Sequence, residues 1–226
     1  MFDGEIRGII FDMDNTLVSS EIDFMGMKLA VYNYLRSKDV LAPSIKLEEQ
    51  TVATLIQQAK SSFRLDGDLL QEMWEIIKAF EQKGMEGAVL EPGVREVLSE
   101  LYTSYPLNVL TNNSQPVACQ LLKERRIYKY FDHIVGRESM ETLKPSPVGI
   151  EYLLHKYRQL GPEDWILIGD SWIDAQAAER AGVNFLLYQG DVLEVKKRDL
   201  KVEGFIHHME ELLDLLNQKT GKEKES

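Results

Sequence analysis

The sequence predicts an α/β protein in which helices flank a mainly parallel sheet and a small all-helical segment is inserted near one end. Three observations support this prediction. An apolar run at residues 9–11 ends in acidic residues, strand and helix patterns alternate after Leu90, and only helical patterns occur between these two regions. Such alternation is typical of parallel sheets, because each helix carries the chain back to the start of the next strand.

The first predicted strand, residues 9–11, is apolar throughout, which is typical of a strand buried on both faces. Asp12 and Asp14 follow it, and their side chains would point the same way on an extended chain. Two carboxylates this close repel each other unless a proton or a cation lies between them. A hard cation such as Mg²⁺ takes oxygen ligands, so the pair indicates a metal site. The alternative interpretation is a simple turn, in which Asp and Asn are also frequent.

Residues 18–89 contain three amphipathic helical patterns with no strand pattern between them. Apolar residues recur at spacings of three and four in each pattern, which places them on one helix face. The three stripes are Phe24, Met27, Val31 and Leu35, then Val52, Leu55, Ile56, Ala59 and Phe63, then Leu69, Leu70, Met73, Trp74, Ile77 and Phe80. We therefore expect a core domain of residues 1–17 and 90–226 and a helical domain of residues 18–89.

After residue 90 the predicted elements alternate regularly. They are a helix to residue 102, a strand at 107–110, a helix, a short strand at 133–136, a helix, a strand at 165–168, a helix at 175–181, a strand at 184–188, and a last strand and helix between 205 and 216. Gly182 follows the helix at 175–181, which is a common helix terminator.

Polar side chains with the chemistry that phosphate groups require follow several of these strands. Thr111 and Asn112 follow the second strand, Asp170 follows the fourth, and Asp174 lies one helical turn further on. Lys144 precedes a helix on the same side of the sheet. Because the carboxyl ends of parallel strands meet at one edge, we expect these residues to lie together with the first two aspartates.

Composition excludes several classes of partner. The net charge of -11 argues against binding to nucleic acids or anionic membranes through bulk electrostatics. The first residues are acidic where a basic leader would be needed, no apolar run reaches membrane-spanning length, and a single cysteine cannot form an intramolecular disulfide. These features predict a cytoplasmic protein with no membrane association. No Gly-x-x-x-x-Gly-Lys-Ser/Thr phosphate loop is present in the sequence.

Four segments resemble the ordered motifs of the haloacid dehalogenase-like hydrolase superfamily. They read DMDNT at 12–16, LTNN at 110–113, LKP at 143–145 and GDSWID at 169–174. The resemblance implies a Rossmann-like core with a helical cap inserted after the first motif, as in phosphatases similar to phosphoglycolate phosphatase and β-phosphoglucomutase. Dehalogenase members lack an aspartate at the position of Asp14, so its presence favours phosphate-ester hydrolysis. Asn15 stands where the phosphoglycolate-phosphatase-like branch usually has glycine, and Asn tolerates unusual backbone angles.

The resemblance also implies a role for each motif residue. Asp12 would be the nucleophile that becomes an aspartyl phosphate, and Asp14 would be the general acid and base. The remaining implied roles are binding of the substrate phosphate by Thr111, Asn112 and Lys144, and binding of Mg²⁺ by Asp12, Asp170 and the main-chain carbonyl of Asp14, with Asp174 in a supporting position.

The sequence thus predicts a Mg²⁺-dependent phosphatase that hydrolyses a small soluble phosphate monoester. A phosphomutase of the same family is an alternative, since it uses the same two aspartates. A phospho-aspartate signalling receiver module is an alternative from a different class, because it also combines paired acids with Thr and Lys on a parallel sheet. Such modules are shorter and carry the phosphorylated aspartate on a mid-chain strand. Oligomeric state does not follow from the sequence.

Overall fold

In the computed structural model, residues 4–220 are described, and the chain divides into two compact units. The larger unit combines residues 4–19 with residues 89–220, and the smaller unit consists of residues 20–88. The assignment of residues 18–89 to a cap domain remains a prediction. Among residues 4–220, no helix combines the length and apolar character that a membrane span requires.

Strands and helices alternate along the larger unit, and the smaller unit is helical. The strands are β1 (Gly8–Phe11), β2 (Val18–Ser19), β3 (Val89–Leu90), β4 (Leu107–Leu110), β5 (His133–Val135), β6 (Trp165–Gly169), β7 (Asn184–Tyr188) and β8 (Gly204–Ile206). The α-helices are α1 (Phe24–Ser37), α2 (Val52–Ser61), α3 (Gly67–Met85), α4 (Val94–Leu101), α5 (Gln115–Glu124), α6 (Val148–Leu154), α7 (Trp172–Ala181), α8 (Val192–Lys197) and α9 (Glu211–Thr220).

Six of the described strands form one parallel sheet in the order β5-β4-β1-β6-β7-β8. This confirms the predicted fold class, a mainly parallel Rossmann-like sheet flanked by helices. Every residue of β1, β4 and β6 is buried, as expected for strands covered on both faces. In register, Phe11 on β1 pairs with Val109 on β4 and with Ile168 on β6. The residues that follow these three strands therefore emerge side by side at one edge.

The core of the larger unit includes a continuous apolar cluster on the sheet. Ile10, Leu110 and Leu167 contribute to it from three neighbouring strands, and Ala175 and Ala178 contribute to it from α7. Small residues on α7 allow the helix to approach the sheet closely. Its end is fixed by Gly182, whose left-handed φ of 72° terminates the helix as the sequence predicts.

The smaller unit contains three amphipathic helices at the predicted positions, but Phe63 lies beyond the end of α2 and is 97% exposed, so its assignment to the second apolar stripe is wrong. Met27, Val31 and Leu35 are buried on α1, Leu55, Ile56 and Ala59 on α2, and Met73 and Ile77 on α3. Side chains cap the starts of α2 and α3. Thr51 and Thr54 form a capping box at α2, and Asp66 accepts a hydrogen bond from the Leu69 N–H at α3.

Two features of the larger unit are absent from the sequence prediction. Strands β2 and β3 pair antiparallel, with Val18 opposite Leu90, and form a two-stranded ribbon at the two ends of the insertion. Strands of two residues are too short to give a periodic signal. The short helix α8 is the second feature, and its start is capped by Asp191.

The contact between Gly8 and Trp165 gives a testable prediction about packing. A Cβ atom at Gly8 would lie 2.5 Å from the Trp165 ring, which is fully buried. We expect Gly8→Ala to lower the free energy of unfolding by about 1–3 kcal/mol, the usual cost of overpacking. Chemical denaturation checks this value. Gly67→Ala is the control, because a Cβ there meets no atom within 4 Å, and equal stability of the two variants would contradict the prediction.

Candidate active site

The hydrogen-bond ladder of the sheet extends one residue past the ends of β1 and β4. The Asp12 N–H donates to the Ile168 carbonyl at 2.8 Å, and the Thr111 N–H donates to the Val135 carbonyl at 2.9 Å. Asp12 and Thr111 are therefore held by main-chain bonds at the same edge of the sheet. Both residues are buried, with 7% and 1% of their surface exposed.

The segment after Asp12 turns sharply. The Met13 carbonyl accepts hydrogen bonds from the N–H groups of Leu17 at 2.9 Å and Val18 at 3.0 Å. Asn15 adopts a left-handed φ of 55°, a conformation that Asn accepts more readily than most residues. Its side-chain amide donates to Asp170 Oδ2 at 3.2 Å. Asn15 thus links the turn after β1 to the end of β6.

Lys144 is the cation at the centre of the site. Its Nζ donates to Asp12 Oδ1 at 2.5 Å, to Asp174 Oδ1 at 2.6 Å and to the Leu110 carbonyl at 3.0 Å. The side chain is only 3% exposed, and these three acceptors satisfy all its N–H groups. Burial opposes the charged form of Lys144, but Asp12 and Asp174 outweigh this effect and raise its pKa above the ordinary value. Lys144 is therefore a permanently charged bridge between two carboxylates.

Asn112 fixes the segment that carries Lys144. Its amide group donates to the Lys144 carbonyl at 3.0 Å, and its carbonyl oxygen accepts from the Lys144 N–H at 2.8 Å. The Asn112 side chain is thus engaged with the main chain of Lys144 on both sides of its amide group.

Asp12, Asp170 and Asp174 form a compact carboxylate cluster. One oxygen from each residue lies within 4.8 Å of the others. Gly169 permits this approach, since a Cβ there would lie 2.6 Å from Asp174 Cγ. Ser171 Oγ donates to Asp174 Oδ2 at 2.5 Å and fixes its orientation. A set of carboxylate oxygens from two buried residues and the half-buried Asp170 fits a hard divalent cation, which takes oxygen ligands.

Two residues of the cluster, Asp12 and Asp170, have pKa values above the ordinary range. Burial raises the pKa of Asp12 well above 3.8; Lys144 lowers it, and the neighbouring carboxylates raise it further. Burial and the nearby Asp174 raise the pKa of Asp170 from 3.8 to about 7. A cation bound by Asp12 and Asp170 would therefore compete with protons for the same carboxylate oxygens.

The structure places every predicted site residue at this edge of the sheet. Asp14 is 8% exposed and accepts a hydrogen bond at Oδ2 from the side-chain amide of Asn113. Sequence reasoning assigned no role to Asn113 or Ser171, although both lie within the quoted motifs. Their contacts depend on side-chain directions that residue spacing does not specify. The catalytic, phosphate-binding and metal-binding roles themselves remain predictions.

The raised pKa values give a prediction about stability and pH in metal-free protein. Asp170 has a folded pKa of about 7, against about 3.9 in unfolded chains. The folded state therefore binds the proton more strongly, so this contribution to stability is complete below about pH 4 and is lost as pH rises through about 7. We expect the free energy of unfolding to decrease from pH 5 to pH 8 in the parent protein. This decrease should be larger than the decrease in Asp170→Asn by an amount on the order of 2 kcal/mol. Denaturation at both pH values measures this difference, and identical pH slopes would contradict it.

Comparison with known proteins agrees with this geometry. A family model of haloacid dehalogenase-like hydrolases matches residues 9–188. The phosphoglycolate phosphatase of Salmonella typhi is 28% identical over 88% of this chain and 90% of its own length. The phosphoglycolate phosphatase of Vibrio parahaemolyticus is 30% identical, over 79% of this chain and 81% of its own length.

A solved structure of related sequence has the same fold. The haloacid dehalogenase-like family hydrolase from Streptococcus pneumoniae superposes with a TM-score of 0.61 at 27% identity, covering 93% of this chain and 98% of that one. The parallel sheet and the four motifs agree with these matches. The chain belongs to the haloacid dehalogenase-like hydrolase family and is an enzyme of its phosphatase group.

Proposed function

We propose that the protein is a Mg²⁺-dependent phosphatase that hydrolyses a small phosphate monoester through an aspartyl phosphate on Asp12. The observation that carries this proposal is the Lys144 bridge. Its Nζ lies 2.5 Å from Asp12 and 2.6 Å from Asp174, beside a cluster of three carboxylates. A nucleophilic carboxylate, a buried cation and a metal-binding acid set are the parts that phosphoryl transfer requires.

The proposed substrate class is a small soluble phosphate ester. The curated relatives reported above are phosphoglycolate phosphatases, so 2-phosphoglycolate is the first compound to assay. Sugar phosphates and nucleotides complete the candidate set. A cytoplasmic location is part of the proposal.

The proposed ligands of Mg²⁺ are the carboxylates of Asp12 and Asp170 and the main-chain carbonyl of Asp14, with Asp174 in support. Ser171 and Lys144 already hold the Asp174 carboxylate. When bound, the ion would neutralise charge on the phosphate and reduce its repulsion from the attacking carboxylate.

In the first half-reaction, a carboxylate oxygen of Asp12 attacks phosphorus and the bond from phosphorus to the alcohol oxygen breaks. Asp14 gives a proton to the departing alkoxide, which leaves as the neutral alcohol. The hydrogen bond from Lys144 holds Asp12 in one orientation.

In the second half-reaction, Asp14 accepts a proton from a water molecule, whose oxygen attacks the phosphorus of the aspartyl phosphate. The bond between phosphorus and Asp12 breaks, and inorganic phosphate and the free carboxylate are restored. The same group serves as acid and then as base, so each turnover returns Asp14 to its starting protonation state.

Thr111 and Lys144 would bind the phosphoryl oxygens, together with the backbone N–H of Asn112. Thr111 Oγ1 accepts a hydrogen bond from the Asn113 N–H at 3.2 Å. A hydroxyl that accepts one bond retains its own proton for donation to a phosphoryl oxygen.

The nucleophile assignment predicts the behaviour of Asp12→Asn. An amide is a poor nucleophile, so turnover on a panel of phosphate monoesters with Mg²⁺ should fall on the order of 10³-fold or more. The fold should persist, as measured by circular dichroism. Asp132→Asn makes the same chemical change on an exposed residue before β5 and should retain activity. Retained turnover by Asp12→Asn would contradict the assignment.

The same panel separates the alternatives. Release of free phosphate at steady state supports hydrolysis. Conversion of a sugar phosphate into its isomer by a bisphosphate activator would indicate a phosphomutase. A long-lived phosphoaspartate without turnover would indicate a receiver module.

The metal assignment predicts that chelation stops the reaction. Treatment with EDTA should abolish phosphate release, and added Mg²⁺ should restore it, because the carboxylate cluster then regains its cation. Calorimetric titration should detect Mg²⁺ binding to the parent, and binding should weaken 10–100-fold or more in Asp170→Asn. Full activity in EDTA would refute the proposed dependence on magnesium.

A further inference from the structure

The side chain of Asn113 makes a direct contact with the proposed acid and base. Its amide nitrogen donates to Asp14 Oδ2. Both residues are buried, with 5% of Asn113 and 8% of Asp14 exposed. The contact joins residues 99 positions apart, so the fold, and not local sequence, creates it.

The main chain of Asn113 is fixed on both sides. Its N–H donates to Thr111 Oγ1 at 3.2 Å, and its carbonyl accepts from the Arg137 N–H at 3.0 Å. With both main-chain groups engaged, the Cα–Cβ bond of Asn113 has a defined direction. The side-chain amide is therefore delivered to Asp14 by a rigid segment.

The turn that supports Asn113 is itself bound to the following loop. The Glu138 carboxylate accepts from Ser114 Oγ at 2.9 Å and from the Gln115 N–H at 2.7 Å. Ser139 Oγ donates to Gln115 Oε1 at 2.8 Å. These bonds link the residues after β5 to the start of α5, so Asn113 is positioned by two strand ends together.

We propose that Asn113 is a positioning residue that sets the rotation of the Asp14 carboxyl group for proton transfer. This inference rests on the proposed function, in which Asp14 protonates the leaving alkoxide. Asn113 touches neither substrate nor metal in this assignment; it acts through Asp14. Proton transfer requires close and aligned approach of the donor to the reacting oxygen. A carboxyl group that accepts a hydrogen bond from a fixed donor has less rotation available, which keeps more molecules in the reactive geometry.

The proposal predicts a dependence on the leaving group that a structural role would not produce. An alkyl phosphate needs a proton on its departing alkoxide, whereas p-nitrophenyl phosphate releases a stable phenolate that needs none. The ratio kcat/KM reports steps up to the first irreversible one, here transfer of the phosphoryl group to Asp12. Loss of acid positioning should therefore lower kcat/KM for the alkyl substrate selectively.

The experiment compares Asn113→Ala and Asn113→Leu with the parent enzyme at saturating Mg²⁺. The substrates are p-nitrophenyl phosphate and the alkyl phosphate of the panel that the parent hydrolyses best. We expect kcat/KM for the alkyl phosphate to fall about 10–100-fold, part of the usual contribution of general acid catalysis. For p-nitrophenyl phosphate we expect a change below about threefold. Asn113→Ser, whose side chain is too short to reach Asp14, replaces either variant that does not fold.

Asn184→Ala is the matched control. The Asn184 amide donates to the carbonyls of Glu163 at 2.8 Å and Trp165 at 3.0 Å, at the opposite edge of the sheet. This variant loses a similar amide and should change both substrates equally or not at all. An equal loss on both substrates in the Asn113 variants, or no loss on either, would overturn the proposal. If the proposed function itself were wrong, Asp12→Asn would retain turnover, so the two failures give different results.

Discussion

The site depends on one buried ammonium group held between two carboxylates. Lys144 Nζ binds Asp12 and Asp174, which reach it from the end of β1 and from the first turn of α7. Loss of both carboxylates would leave a buried, uncompensated lysine charge, which is far more destabilising than the loss of an exposed ion pair. The Lys144 bridge therefore forms only when β1, the first turn of α7 and the loop that carries Lys144 are all in their folded positions. Asn112 fixes that segment through two bonds to the main chain of Lys144.

The same site carries more negative than positive charge. Asp12, Asp170 and Asp174 lie together, Lys144 pairs with two of them, and burial raises the pKa of Asp12 and Asp170. Burial of like charges opposes folding, so a ligand of opposite charge bound at this position would stabilise the folded state. Functional sites commonly depart in this way from the arrangement that would be most stable.

Much of this arrangement could be predicted from the sequence, for physical reasons. The strands of the sheet are apolar runs because both faces are covered, and the site residues follow those runs because parallel strands end at one edge. The links from Asn113 to Asp14, from Asn15 to Asp170 and from Ser171 to Asp174 could not be predicted. They depend on side-chain rotation and on loop geometry within a few ångströms, whereas sequence spacing specifies only the element and its face. Strands β2 and β3 could not be predicted either. Each contains only two residues, which is too few for an alternating pattern of apolar and polar side chains.

The ribbon of β2 and β3 has a consequence for how such proteins diversify. Val18 lies opposite Leu90 and Ser19 opposite Val89, so the chain departs from and returns to the sheet-bearing unit at adjacent points. An insertion bounded by neighbouring ends can be lengthened, shortened or exchanged without disturbing the register of the strands around it. The helical residues 20–88 can therefore change in length or sequence while the residues at the edge of the sheet keep their positions.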